Sequence, residues 1–346
     1  MNIPTIVRGS LAALCLLVAS ACANADTGST PATGSGAPSA PAAATKITYL
    51  TSFNVFGRDA YAYVALEKGY FRDAGFDVTI RPGNGTADSL KLIASGQADF
   101  GITDLTGSIV TLAGQKMPVT GVAAIQQRSL TAVIALEGSG IAAPKDLEGK
   151  KIADPPGSAV KLVFPAYAKA AGIDPAKVTF VPAPPPSLPQ LLSSGKVDAI
   201  GQFVVGRPTI EQAAQGRKAV VLPYSDHVKE MYGNILTTTA KMAAEKPEVV
   251  TRFRDALLKG LEYAVDNPDE SGKILNKYHP TQNPVTAAAE LKEMAAFVRP
   301  SEAGVPVGAL DESRLAAVIA ILEDAKVIEP GFKPSDIVTF GLAPGS

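Results

Sequence analysis

The chain has 346 residues, 46% of them hydrophobic, with 32 Lys and Arg set against 33 Asp and Glu for a net charge of −1. That balance gives no overall field to draw in nucleic acid. Two cysteines, Cys15 and Cys22, both near the N-terminus, leave no pair for a structural disulfide in the body of the chain, so stability must come from a core, which this length can build.

In chain order, Arg8 precedes an apolar stretch, Leu11 to Ala19, that is too short to span a bilayer and suits a secretion signal over residues 1–21. Ala19-Ser20-Ala21-Cys22 resembles a bacterial lipobox, which makes Cys22 a lipidation site. Ala23-Asn24-Ala25 fits plain cleavage before Asp26 as a second reading. Residues 22–45 are small, polar and rich in Pro, Gly and Ala, the composition of a flexible tether. The expectation is an exported, membrane-anchored, extracytoplasmic domain.

From residue 46 the pattern is α/β. Lys46 to Leu50 reads as a strand, Ala60 to Lys68 as a helix stopped at Gly69, and Asp77 to Ile80 as a strand. Gly83-Asn84-Gly85-Thr86 opens a helix that runs to Ser95, and Ala98 to Thr103 is a third strand. A βαβαβ order predicts a mostly parallel sheet covered by helices. The text then repeats. Leu92-Ile93-Ala94-Ser95-Gly96-Gln97-Ala98-Asp99 is echoed by Leu191-Leu192-Ser193-Ser194-Gly195-Lys196-Val197-Asp198, and Ala74-Gly75-Phe76-Asp77 by Ala171-Gly172-Ile173-Asp174. Two similar halves predict two lobes with a ligand cleft between them. The expected division is 46–130 as the first part of lobe 1, 131–224 as lobe 2, and 225–346 as a return to lobe 1 with C-terminal helices. Two crossings between the lobes make a hinge.

Ligands of parallel sheets bind at the carboxyl ends of the strands. That rule selects Phe53, Asn54, Phe56 and Arg58 after the first strand, as an aromatic wall with a polar handle. Asn84, Gly85 and Thr86, and Gly157 and Ser158 in the second half, are glycine-led helix starts that can cradle an anion, or ordinary capped turns. Thr103 and Asp104 occupy the repeat position of Gly201 and Gln202, so they are expected to face one another; Asp104 either accepts from a heterocyclic amine or caps the following helix. Phe203 and Arg207 follow Gln202, with Arg207 a candidate partner for an acidic ligand. Gln126 lies at the first crossing. Asp99 and Asp198 read as junction residues. His227 and His279 lack companions for catalysis or metal binding, and no metal, cofactor or catalytic residue is expected.

Tyr61 to Val78 (YAYVALEKGYFRDAGFDV), Asp146 to Ile152 (DLEGKKI), Ser95 to Phe100 and Gly195 to Ala199, in that order, resemble the substrate-binding proteins of ABC transporters. The subfamily serves thiamine-pyrimidine precursors, sulfonates, taurine and nitrate, and the resemblance covers residues 46–275. It implies a type II periplasmic-binding fold, a two-stranded hinge, a small-molecule ligand and a monomer that delivers to a permease with a cytosolic ATPase. The aromatic loop and Asp104 favour a nitrogen heterocycle. The two glycine-led helices and Arg207 support a sulfonate, taurine or nitrate instead. A thiamine-pyrimidine synthase of the same fold is the alternative from another class; it is cytosolic and carries a cysteine-rich motif that this chain lacks.

Overall fold

The computed structural model describes residues 44–345. The expected signal segment, Cys22 and the expected tether as far as residue 43 lie outside the described residues. The first half of the chain runs β1 (Thr45–Leu50), β2 (Phe53–Asn54), α1 (Ala60–Glu67), α2 (Tyr70–Asp73), β3 (Phe76–Arg81), β4 (Gly83–Asn84), α3 (Thr86–Ala94), β5 (Phe100–Asp104), α4 (Leu105–Gly114) and β6 (Val119–Ala124). The second run is β7 (Thr131–Leu136), β8 (Lys151–Asp154), α5 (Ala159–Ala171), β9 (Thr179–Pro182), α6 (Leu188–Ser193), β10 (Ala199–Phe203), α7 (Arg207–Ala213) and β11 (Ala219–Pro223). Then come β12 (Asn234–Thr239), α8 (Ala240–Glu245), α9 (Pro247–Asp266), α10 (Pro268–Tyr278), α11 (Pro284–Val298) and α12 (Glu312–Asp324). Among the described residues no helix is long and apolar enough to cross a membrane.

The strands form two five-stranded sheets, ordered β3-β1-β5-β12-β6 and β11-β7-β10-β8-β9, and a small ribbon of β2 with β4. Each large sheet is α/β with helices on both faces. Its parallel trio follows from the βαβαβ order: β1 pairs with β3 and β5, and β8 with β9 and β10. Antiparallel neighbours complete both sheets, β12 between β5 and β6, and β7 between β10 and β11. The chain enters the second sheet after β6 and returns with β12, so residues 125–130 and 224–233 are the two connections.

The repeated text has a repeated physical job. Gly96 and Gly195 stand at φ +74° and +70°, left-handed positions that end a helix at little cost for glycine. The Asp99 carboxylate then accepts from Thr48 N at 2.7 Å, and the Asp198 carboxylate from Lys151 N at 2.8 Å. Each aspartate thus ties an incoming strand to its parallel neighbour, which is the junction role read from sequence.

Under the first sheet, α1 and α9 pack an aromatic cluster centred on Phe253. Its ring lies 4.1 Å from Phe100 and 5.1 Å from Phe71, both near-parallel, with Tyr49 and Phe76 at its edges. The other face buries Leu50, Leu90, Ile93, Ile109 and Val318 beneath α3, α4 and α12. In the second lobe Tyr167 and Tyr224 stack at 4.0 Å over a core of Val133, Ile152 and Val163.

Candidate functional site

The carboxyl ends of the parallel strands in both sheets point toward one another. Between them lies a pocket of about 300 Å3, lined by Ser52, Phe53, Gly85, Thr86 and Asn234 from the first lobe and by Ser158, Ala159, Val160, Gln202 and Phe203 from the second. The lobes are nearly shut over it, and a guest of ring size requires them to part. Wider grooves lie outside, one between residues 112–117 and 329–336 and one beside 300–314, but neither joins the strand ends of the two sheets.

Closure is held by direct contacts. Ala87 N, in the first turn of α3, donates to Gly157 O at 3.2 Å across the cleft. Thr131 Oγ1 donates to Asp104 Oδ2 at 3.4 Å, and the Phe53 and Phe203 rings meet at 6.1 Å. Helix α11 bridges on the outside. Glu290 accepts from Thr209 Oγ1 of the second lobe and from Arg58 N at 3.1 Å of the first, while Thr286 Oγ1 donates to Gln212 Oε1 at 2.7 Å.

Six of the sequence candidates line this pocket: Phe53, Gly85, Thr86, Ser158, Gln202 and Phe203. Gly157 stands one residue outside, at the cross-lobe contact. The rest serve elsewhere. Asn54 holds φ +56° and pairs with Gly83 in the β2–β4 ribbon, where Asn84 faces solvent. Phe56 is buried beneath the Arg58 guanidinium, whose Cζ is 4.5 Å from its ring and 4.8 Å from that of Phe203. Arg58 itself is sealed in, 3.9 Å from the Glu290 carboxylate. Thr103 turns away from the cleft, its Oγ1 2.7 Å from Thr237 Oγ1 across two adjacent strands. Gln126 accepts from Asn234 N at 3.0 Å behind the pocket.

Two expectations require correction. Asp104 is not on the pocket wall and takes the second of its two readings: it caps α4, its Oδ1 accepting from Gly107 N at 2.8 Å, while its Oδ2 meets Thr131 Oγ1 of the other lobe. A carboxylate at the end of β5 lies within reach of the first N–H groups of α4, which favour it. Arg207 lies outside as well, exposed and paired with Glu293 of α11, because α7 turns its start toward that helix rather than toward the strand ends.

Asn234 escaped the sequence reading, as did Ala159 and Val160. The carboxyl-end rule was applied to parallel strands alone. β12 runs antiparallel to β5, and its first residue, Asn234, pairs with Asp104, the last residue of β5. The start of a returning antiparallel strand therefore belongs to the same rim, and that corollary would have found it.

Burial governs the acids here. Asp104 and Asp154 are each pushed up to about 7 by desolvation, against hydrogen bonds from Gly107 N and Ser158 Oγ that pull them down. Asp59 is raised to about 7 by burial as well, opposed by Arg58. The native state thus holds protons that the unfolded chain, with aspartates near 3.8, has already released. Stability falls as pH rises between those values. At the acid end Glu148, held at about 2 by Lys145 and the Asp174 amide, works in the opposite sense, losing its contribution below its unfolded value of 4.5. Thermal melts of the protein should therefore peak at about pH 4, where the aspartates of the unfolded chain begin to ionise, and fall toward pH 8. Asp104→Asn and Asp154→Asn should each flatten that fall; a profile that rises from pH 5 to 8 would contradict the assignment.

Two lobes of mixed α/β sheet, joined by two connections and shut over a pocket at their strand ends, make this a periplasmic-binding fold. The solved alkanesulfonate-binding protein SsuA of Xanthomonas axonopodis pv. citri, bound to MOPS, superposes with a TM-score of 0.67, covering 88% of this chain and 99% of that one at 15% identity. The chain belongs to the NMT1/THI5-like family, whose model matches residues 59–271. It is 26% identical over 216 residues to the formylaminopyrimidine-binding protein of Halalkalibacterium halodurans, covering 62% of this chain and 65% of that protein, just under two thirds of its length. It is also 26% identical over 246 residues to the 4-amino-5-hydroxymethyl-2-methylpyrimidine phosphate synthase of Candida albicans, covering 68% and 72% of the two chains.

Proposed function

We propose that this protein is an exported solute receptor of an ABC importer, closing on a planar nitrogen heterocycle of pyrimidine size and delivering it to a permease. The observation that carries the ligand class is the pocket wall: two phenyl rings, neutral amides and hydroxyls, and no Lys, Arg or His. A phenyl-lined slot suits a flat ring. An anion needs a cation or a free helix N-terminus. The start of α5 is already served from within, where Ser158 Oγ caps Lys161 N and itself donates to the Asp154 carboxylate. The bacterial relative named for formylaminopyrimidine points to the same chemistry. The alkanesulfonate protein shares the fold at an identity too low to carry a ligand.

Binding rather than catalysis fits the wall, which offers a ring face and hydrogen bonds but no histidine, cysteine or lysine. His279 is engaged elsewhere, 2.7 Å from Tyr63 Oη, and His227 packs edge-on to Tyr167. Lipidation at Cys22, with the segment that follows it as a tether, is the proposed anchor. The test is a thermal-shift panel on protein refolded free of carried ligand. 4-Amino-2-methylpyrimidine at 100 times its Kd should stabilise by about 2.7 kcal/mol, while nitrate, taurine and alkanesulfonates leave the melting point unmoved. A shift with the anions alone would sink the heterocycle reading.

A further inference from the structure

Two polar atoms in the pocket have no partner in the protein: Gln202 Nε2 and Asn234 Oδ1. Their residues are 2% and 3% exposed. An unsatisfied buried amide atom costs about 1–3 kcal/mol, and native structures leave few of them. Two in one small pocket, one from each lobe, mark positions where a ligand completes the bonding.

The chemistry of each position is set by its neighbours. Gln202 Oε1 accepts from Phe203 N at 2.8 Å. Turning that amide over would set its NH2 against the N–H, so the end left over is the donor. The side chain lies this way because residue 206 is glycine; a Cβ there would sit 2.8 Å from Gln202 Cγ and 2.9 Å from Cδ. Asn234 has its backbone fully engaged, N to Gln126 Oε1 at 3.0 Å and O from Ile125 N at 2.7 Å. Its side-chain amide is placed with Oδ1 as the buried end that lacks a partner, which makes that end an acceptor. Gln202 ends the central part of the second sheet and Asn234 begins the returning strand of the first, so closure delivers a donor and an acceptor to one guest.

We infer that Gln202 and Asn234 are the specificity-determining pair, together reading a neutral ligand edge that carries an acceptor for Gln202 Nε2 and a donor for Asn234 Oδ1, as a ring nitrogen beside an exocyclic amine does. This rests on the heterocycle reading and deepens it by naming the side chains that select the edge. The pair also rejects: a nitrate, sulfonate or carboxylate presents acceptors alone and sets an oxygen against Asn234 Oδ1.

Isothermal titration of the whole protein with two probes, 4-amino-2-methylpyrimidine and 2-methylpyrimidine, tests the pair. The wild type should prefer the amine-bearing ring by at least about 10-fold, the equivalent of one buried hydrogen bond left unmade. Asn234→Leu should bring that ratio to within about 3-fold, since the acceptor for the amine is gone. Asn234→Asp keeps the oxygen and the shape and should keep the preference, which separates recognition from a general loss of fold. Gln202→Glu sets an acceptor against the ring nitrogen and should weaken both probes by about 10–100-fold. A wild type indifferent to the amine, or a preference that survives Asn234→Leu, overturns the inference and leaves the heterocycle reading standing. If neither pyrimidine binds and nitrate or taurine does, the heterocycle reading has failed and this inference with it.

Discussion

Glu290→Ala is expected to destabilise the protein by about 3–5 kcal/mol, the usual cost of removing one partner from a buried ion pair. The Glu290 side chain is fully buried on α11. It accepts from Arg58 N, lies 3.9 Å from the Arg58 guanidinium, and accepts from Thr209 Oγ1 in the second lobe. Beyond the charge of the neighbouring Asp59, which makes no ion pair with it, Arg58 has little else. Its Nε and Nη1 have no hydrogen-bond acceptor, and Nη2 reaches Phe53 O only at 3.5 Å. The flanking Phe56 and Phe203 rings supply cation–π attraction but no acceptor. Removing the carboxylate therefore strands a buried cation and unties α11 from both lobes together. Glu290→Gln keeps the volume and an acceptor for Arg58 N, and its NH2 can donate to Thr209 Oγ1, so it should cost about 1–2 kcal/mol. Guanidinium melts of the two variants decide it. Equal, small losses in both would mean that Glu290 acts by packing and that Arg58 finds another partner.

Much of this arrangement was legible in the text. The two Ser-Gly stops with their following aspartates announced the repeat, because a left-handed helix end and a carboxylate tie to a neighbouring strand need those residue types at that spacing. The strand-end rule then picked out Phe53, Gly85, Thr86, Ser158, Gln202 and Phe203, all local to the junctions that the repeat marks. What it missed or misplaced depends on partners distant in sequence. Arg207 looks like a free cation until α11, eighty-odd residues on, presents Glu293 to it. Arg58 looks like a polar handle until Glu290 buries it. Asn234 enters the pocket only through its register with Asp104, 130 residues earlier. Asp104 was ambiguous for another reason: a short acid at the end of a strand caps a helix or meets a ligand with the same chemistry, and only the position of the next N–H decides.

Closure itself can be tested at one atom. Gly157 stands at φ +73°, and a Cβ added there would lie 2.7 Å from Ala87 Cβ on the opposite lobe. The same residue's carbonyl accepts from Ala87 N at 3.2 Å, so the two backbones touch where the cleft shuts. Gly157→Ala therefore does two things. It places an L side chain in the left-handed region, at about 1–2 kcal/mol, and it drives a methyl into α3 only when the lobes are closed. Gly172 provides the control: it has φ +72° at the end of α5, and a Cβ there meets nothing within 4 Å. Gly172→Ala should lower stability by a similar amount and leave binding alone. Gly157→Ala should also weaken binding of 4-amino-2-methylpyrimidine by about 10–100-fold, because the competent, closed form becomes a minor population. Small-angle scattering should show the Gly157→Ala protein expanded with ligand present, where the wild type and Gly172→Ala are compact. If both alanine variants bind alike, the cost of Gly157→Ala is local strain, and the ligand is held by a cleft wider than this one.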